Sequence, residues 1–208
     1  MGSKQPAEEH LKVIRELMER ATTYRILSTT TACFGALATL LAGIWSYSKG
    51  NEIWVGKFVC IWVGVYLLVD LVNTVLLFKD SKERQAEFPS AKLMHAVVAM
   101  IPAIIAGGVI SLVFAFVHED PVRCATIWVV FSGISLLATS SFAPRSIICL
   151  GWAFLGSGLA LFFWKETGKF LPGDNSVSQA SFVMMITYGL WLTLYAIWTG
   201  IISKKSDQ

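Results

Sequence analysis

Residues 53–78 read IWVGKFVCIWVGVYLLVDLVNTVLLF, a stretch whose only charged groups are Lys57 and Asp70. An α-helix crosses the hydrocarbon core of a bilayer in about 20 residues. This segment is long and apolar enough to do so. It must be helical there, because an open strand would leave backbone N–H and C=O groups unpaired in lipid. Five further segments read the same way: residues 26–47 before it, and 93–117, 125–142, 147–164 and 181–203 after it. The expected fold class is therefore all-α, a polytopic transmembrane bundle of six spans preceded by an amphipathic N-terminal helix.

Composition agrees. The 208 residues are 55% hydrophobic and only 15% charged, with a mean hydropathy of +0.61. A soluble domain carries roughly 25% charged residues, so this chain lacks the charge to cover a water-facing surface. Its lysines and arginines cluster at the flanks of the apolar segments. The net charge of +3 thus reads as membrane-surface charge rather than a nucleic-acid footprint.

The positive-inside bias orients the chain. With both ends cytoplasmic, the inner side holds Lys4, Lys12, Arg15, Arg20, Arg25, Lys79, Lys82, Arg84, Lys92, Arg145, Lys204 and Lys205, and the outer side holds Lys49, Lys57, Arg123, Lys165 and Lys169. Trp45, Trp54, Trp128 and Trp164 fall near the outer boundary, as an aromatic belt would place them. The expected organisation is a cytoplasmic or interfacial helix over residues 1–25, a six-span domain over 26–203 and a cytoplasmic tail over 204–208. The loops, the longest being 79–92 and 165–180, leave no room for a water-soluble domain.

Within residues 7–24 the apolar side chains Leu11, Ile14, Leu17, Met18 and Ala21 approach the stripe of an amphipathic helix. Leu11, Ile14 and Met18 are expected to lie on the inner leaflet or on a partner protein. No cleavable signal is expected, since the first apolar segment follows charged residues and lacks a small-residue cleavage pattern. Pro6 stands where a myristoylation site at Gly2 needs Ser or Thr.

Asp70 is the most informative side chain. An ionisable group inside a span costs a few kcal/mol on insertion scales, so it should face the bundle or water. Tyr66, Asp70, Asn73 and Thr74 fall at i−4, i, i+3 and i+4 and form one polar stripe. Nine residues separate Asp70 from Lys79, roughly 13 Å along a helix, which makes Arg25 or Arg145 a possible counter-ion. The stripe reads either as a proton, cation or substrate site, or as a polar lock on helix packing.

Other chemistry is excluded by missing parts. Cys33, Cys60, Cys124 and Cys149 make no C-x-x-C pair, and no H-E-x-x-H occurs, so neither a metal centre nor any cofactor is expected. His95 and His118 fall at opposite ends of one span and cannot ligate a haem between helices. The Gly156-Ser157-Gly158 triplet invites comparison with rhomboid proteases, yet no histidine follows His118 to serve Ser157 as base. An enzyme is not expected.

Small residues line several spans, among them Ala32, Gly35, Ala36, Ala42 and Gly43, Gly107 and Gly108, and Gly151, Gly156 and Gly158. Such spacing permits close helix contact, within the chain or with another subunit. Ala32 to Ala36 and Ala38 to Ala42 resemble the Ala-x-x-x-Ala pattern of six-span substrate-binding subunits of energy-coupling-factor vitamin transporters. Glu16-Leu17-Met18-Glu19-Arg20-Ala21-Thr22 and Ser141-Phe142-Ala143-Pro144-Arg145-Ser146, running into Leu150-Gly151-Trp152, resemble a group of bacterial six-helix inner-membrane proteins without an assigned activity. That resemblance implies a bacterial inner membrane and no mechanism. The leading expectation is a non-enzymatic subunit or accessory protein of a membrane complex. It would contact the lipid bilayer and either a protein partner or a second copy through its small-residue faces, and no nucleic acid. The alternative is a small-molecule transporter component.

Overall fold

The structure, a computed structural model, describes residues 28–83, 88–141, 143–168 and 171–206. The expected N-terminal amphipathic helix, with Leu11, Ile14, Met18 and Arg25, lies outside the described residues. The chain runs through α1 (Thr29–Ser48), a short 3-10 turn (Gly50–Glu52), α2 (Val55–Glu83), α3 (Ala91–Phe116), α4 (Pro121–Ala138) and α5 (Arg145–Glu166). A sixth rod joins α6 (Ser176–Met184), a π-helical segment (Met185–Gly189) and α7 (Leu190–Ser206). These give six helices long and apolar enough to cross a membrane. The chain is an all-α, multi-pass membrane protein.

Capping chemistry sets several boundaries away from the hydropathy limits. The fourth span begins at Pro121, not at 125. Asp120 Oδ1 accepts hydrogen bonds from the backbone N–H of Val122 and Arg123 at 3.1 and 3.0 Å, and proline suits the first helical turn. The same span stops at Ala138 rather than 142. The sixth begins at Ser176 rather than 181, because Asn175 Oδ1 accepts from the Ser178 N–H at 2.7 Å. Much of what reads as an outer loop is thus helix. α2 runs five residues past 78, to Glu83, and α7 continues to Ser206, past the expected start of a tail at 204.

Two seams of small and hydroxyl residues run through the bundle. Along α4 and α5, backbone meets backbone: a Cβ on Gly133 would stand 2.5 Å from Leu155 N and 2.8 Å from Gly151 O, and one on Gly158 2.9 Å from Val130 N. Only residues without a side chain fit such a contact. α1 packs on the sixth rod through hydroxyls and a glycine. Ser46 and Ser181 Oγ atoms share a 2.6 Å hydrogen bond, Thr29 Oγ1 donates to Thr199 Oγ1 at 3.0 Å, and Gly43 abuts Met185. The span-one stripe of small residues is therefore an internal seam, with Ala32, Gly35, Ala36 and Gly43 all buried. At one end of the bundle Arg123 Nε donates to Glu166 Oε1 at 2.7 Å, tying α4 to α5. Glu52, in the 3-10 turn, is held below the usual carboxylate range by its hydrogen bond and charge contact with Lys49.

Candidate functional site

α2 is the least buried of the six spans. Its loose seating leaves a cavity of about 360 Å³ inside the bundle, and every span contributes to the lining. Three members of the expected polar stripe, Tyr66, Asp70 and Asn73, lie on this wall. Their spacing of one helical turn puts them on one face of α2. Thr74 does not join them. It is exposed, and its Oγ1 donates instead to the Asp70 backbone carbonyl at 2.9 Å.

Asp70 stands fifteen residues after Val55 and thirteen before Glu83, close to the middle of α2. It lines the cavity and is also exposed, so the cavity is open along α2. Its carboxyl makes neither an ion pair nor a side-chain hydrogen bond with any described residue. Arg145, one of the two counter-ions expected from depth, is exposed at the first turn of α5 and makes no ion pair with Asp70. Position along a span fixes depth but not direction, and the arginine lies on a helix that does not bring it to the acid. Arg25, the other, falls outside the described residues.

The opposite wall carries hydroxyls that hydropathy alone does not single out. Ser132 and Ser135, one turn apart on α4, and Tyr188, in the π segment, all line the cavity. Ser132 Oγ and Tyr188 OH are hydrogen-bonded to each other, and Ser132 also donates to the Trp128 carbonyl at 2.9 Å. A π turn holds one residue more than an α turn and so re-aims the side chains around it; such bulges are frequent at functional sites. Here it presents Tyr188 to Ser132 across the bundle, with the Phe154 ring 4.8 Å away. Just outside the lining, Trp191 Nε1 donates to Ser157 Oγ at 3.1 Å. Ser157 thereby serves as a packing hydroxyl.

Aromatic faces complete the enclosure. Tyr66 meets Trp128 edge to face, with centroids 6.3 Å apart, and Trp62 and Phe131 line the walls beside them. Gly108 on α3 also lines the cavity, and a Cβ placed there would meet nothing within 4 Å. Asp70 is the one charged residue on the wall, and no lysine, arginine or histidine joins it among the described residues. An apolar, aromatic enclosure with a few convergent polar groups is the form a small-molecule site takes.

The remaining sequence candidates lie elsewhere. His95 is exposed on α3, while His118 packs against the Phe114 ring at 5.2 Å. Cys33, Cys60 and Cys149 are exposed free thiols and Cys124 is buried. Among the glycines of α5, Gly151 and Gly158 face α4, whereas Gly156 meets nothing within 4 Å.

No family model, curated protein or solved structure matches the chain. The fold and the cavity define a class, that of polytopic α-helical membrane proteins.

Proposed function

We propose that the protein is a non-enzymatic membrane protein that binds a small amphipathic molecule within its bundle, as a component of a transport system. The observation that supports this is the cavity of about 360 Å³, lined from all six spans, with Asp70 on one wall and the Ser132–Tyr188 pair on the other. A helix-packing role for Asp70 would require partners for its carboxyl, and none stands among the described residues. The role of subunit or accessory protein, favoured by the sequence alone, rests on outward surfaces that lipid would cover equally well. The small-residue stripe of α1, which could have marked a subunit contact, is occupied inside the chain.

Catalysis finds no support in the cavity's residues. Among the described lining residues no histidine accompanies the serines, and Asp70 has no second acid with which to share proton transfer. The sequence resemblance noted above supports a bacterial inner membrane, and the distribution of lysine and arginine supports cytoplasmic ends.

Native purification with mass spectrometry of the retained small molecules tests the reading. The wild type should retain a ligand that Gly108→Trp, placed on the cavity wall where a Cβ meets nothing within 4 Å, releases. A stoichiometric protein partner with no retained molecule would restore the subunit reading. Orientation is separately accessible in a background without native cysteines. A cysteine at Lys82 or Ser206 should resist an impermeant thiol reagent in whole cells, and one at Asp174 should react; labelling of Ser206→Cys from outside would break the six-span arrangement.

A further inference from the structure

We infer that the cavity takes a monovalent lipophilic organic cation, an amine or quaternary ammonium with apolar substituents, whose charge lies against Asp70. This rests on the small-molecule reading above and narrows it to one chemical class. Three observations converge. Among the described residues Asp70 is the only charged group on the wall, and none of them neutralises or hydrogen-bonds its carboxyl. An ionised acid at mid-span is costly unless a counter-charge is supplied, and here the protein's own described residues leave that place empty. The walls of the same cavity are aromatic, with Trp62, Tyr66, Trp128 and Phe154 around the space and Tyr66 one turn from Asp70 on the same face. Ring faces attract cations, most strongly where water is excluded, and they bind quaternary ammonium groups in particular.

The third observation is access. Asp70 is exposed as well as cavity-lining, near the middle of a helix whose neighbours on the outer face are Leu67, Leu68 and Leu71, all exposed. The opening therefore lies at the depth of the acyl chains, and a ligand that already partitions into lipid can reach the acid without crossing the polar ends of the bundle. An anion would meet like charge, with no basic residue among the described ones on the wall to hold it. A neutral ligand would leave the carboxylate unmatched. A hydrated metal ion would find one carboxylate in an apolar chamber, far short of the oxygen ligands a hard cation demands.

Benzyltrimethylammonium and its uncharged isostere neopentylbenzene differ in charge and hardly in shape, so the pair isolates the role of Asp70. Binding is read as the ligand-dependent rise in melting temperature of the full-length protein in detergent micelles, comparing wild type with Asp70→Asn. Partition of each ligand into micelles is the same for both proteins and cancels. The expected result is that Asp70→Asn weakens the cation at least tenfold and leaves the isostere unchanged. Equal response of the two proteins to the cation would overturn the inference. If the isostere stabilises the wild type while the cation does not, the cation inference fails and the small-molecule reading stands. If both ligands stabilise Gly108→Trp as well as the wild type, the cavity is not their site and both readings fail. Should Asp70→Asn not fold, Asp70→Glu, which keeps the charge, must retain preference for the cation over the isostere; its loss counts against the inference.

Discussion

Where α4 meets α5, glycines bring backbone against backbone; where α2 borders the cavity, side chains project into space. A Cβ on Gly133 would overlap Leu155 and Gly151, while one on Gly108, which lines the cavity from α3, would meet nothing within 4 Å. The first seam gains dispersion contacts along its whole length, which is the principal attraction available between helices in lipid. The second surrenders those contacts and gains a chamber. Rigidity and vacancy are thus assigned to different faces of one bundle, and a ligand site is drawn from the loosely packed side.

Glycine substitution should expose this division most strongly. Gly133→Ala is expected to cost about 3 kcal/mol, the upper range for overpacking against backbone that cannot yield. Gly108→Ala, on the cavity wall, should be neutral, or stabilising by up to ~1 kcal/mol through helix propensity. Thermal unfolding of the two variants side by side decides the matter, and equal losses would erase the contrast between the seams.

Asp70→Leu gives the next largest effect, with the opposite sign. Replacing a mid-span acid that has no partner among the described residues by leucine should stabilise the ligand-free protein by roughly 1–2 kcal/mol. A loss of stability of that size would show that Asp70 is a packing element, and would move α2 into the same category as α5.

Loss of single hydrogen bonds should be smaller. Tyr188→Phe removes the hydroxyl that meets Ser132, and Trp191→Phe leaves a gap the size of the second indole ring as well as deleting the donor to Ser157. Tyr188→Phe should cost about 1 kcal/mol or less, as interhelical hydrogen bonds in membranes generally do. A cost of several kcal/mol would mean that the cavity wall, not the glycine seam, carries the fold. The smallest effect belongs to the exposed Arg123–Glu166 pair, where Glu166→Gln should change stability by less than about 1 kcal/mol.

The spans were legible because lipid imposes a length and a composition that few soluble sequences share. Their ends were not, because capping is a matter of single side chains: Asp120 and Asn175 look like loop residues until their oxygens are seen on the backbone N–H groups that follow. The α2 half of the site could be read from spacing alone, since Tyr66, Asp70 and Asn73 recur at a helical period. Thr74 satisfied the same rule, yet its short hydroxyl turned back to its own helix, a local bond that periodicity does not foresee. Ser132 and Tyr188 stand fifty-six residues apart and meet only through tertiary packing. Neither residue type is unusual in a span. That Arg145 does not pair with Asp70 was beyond sequence too, because depth can be counted along a chain whereas the direction of a neighbouring helix cannot.

The π segment makes the sixth span sensitive to chain length in a way that the other five are not. Its turn contains one residue more than the α-helix on either side of it. Deleting a single residue between Met185 and Gly189 would let α6 and α7 fuse into one regular helix, and each would rotate against the other by about 100°. One end of the span would then lose its register. Either Asn175 and Ser181 would swing away from Asn51 and Ser46, or Thr199 from Thr29. A natural variant of this protein that lacks the extra residue would have to rebuild one of those contacts, and Tyr188 would leave Ser132 in the process.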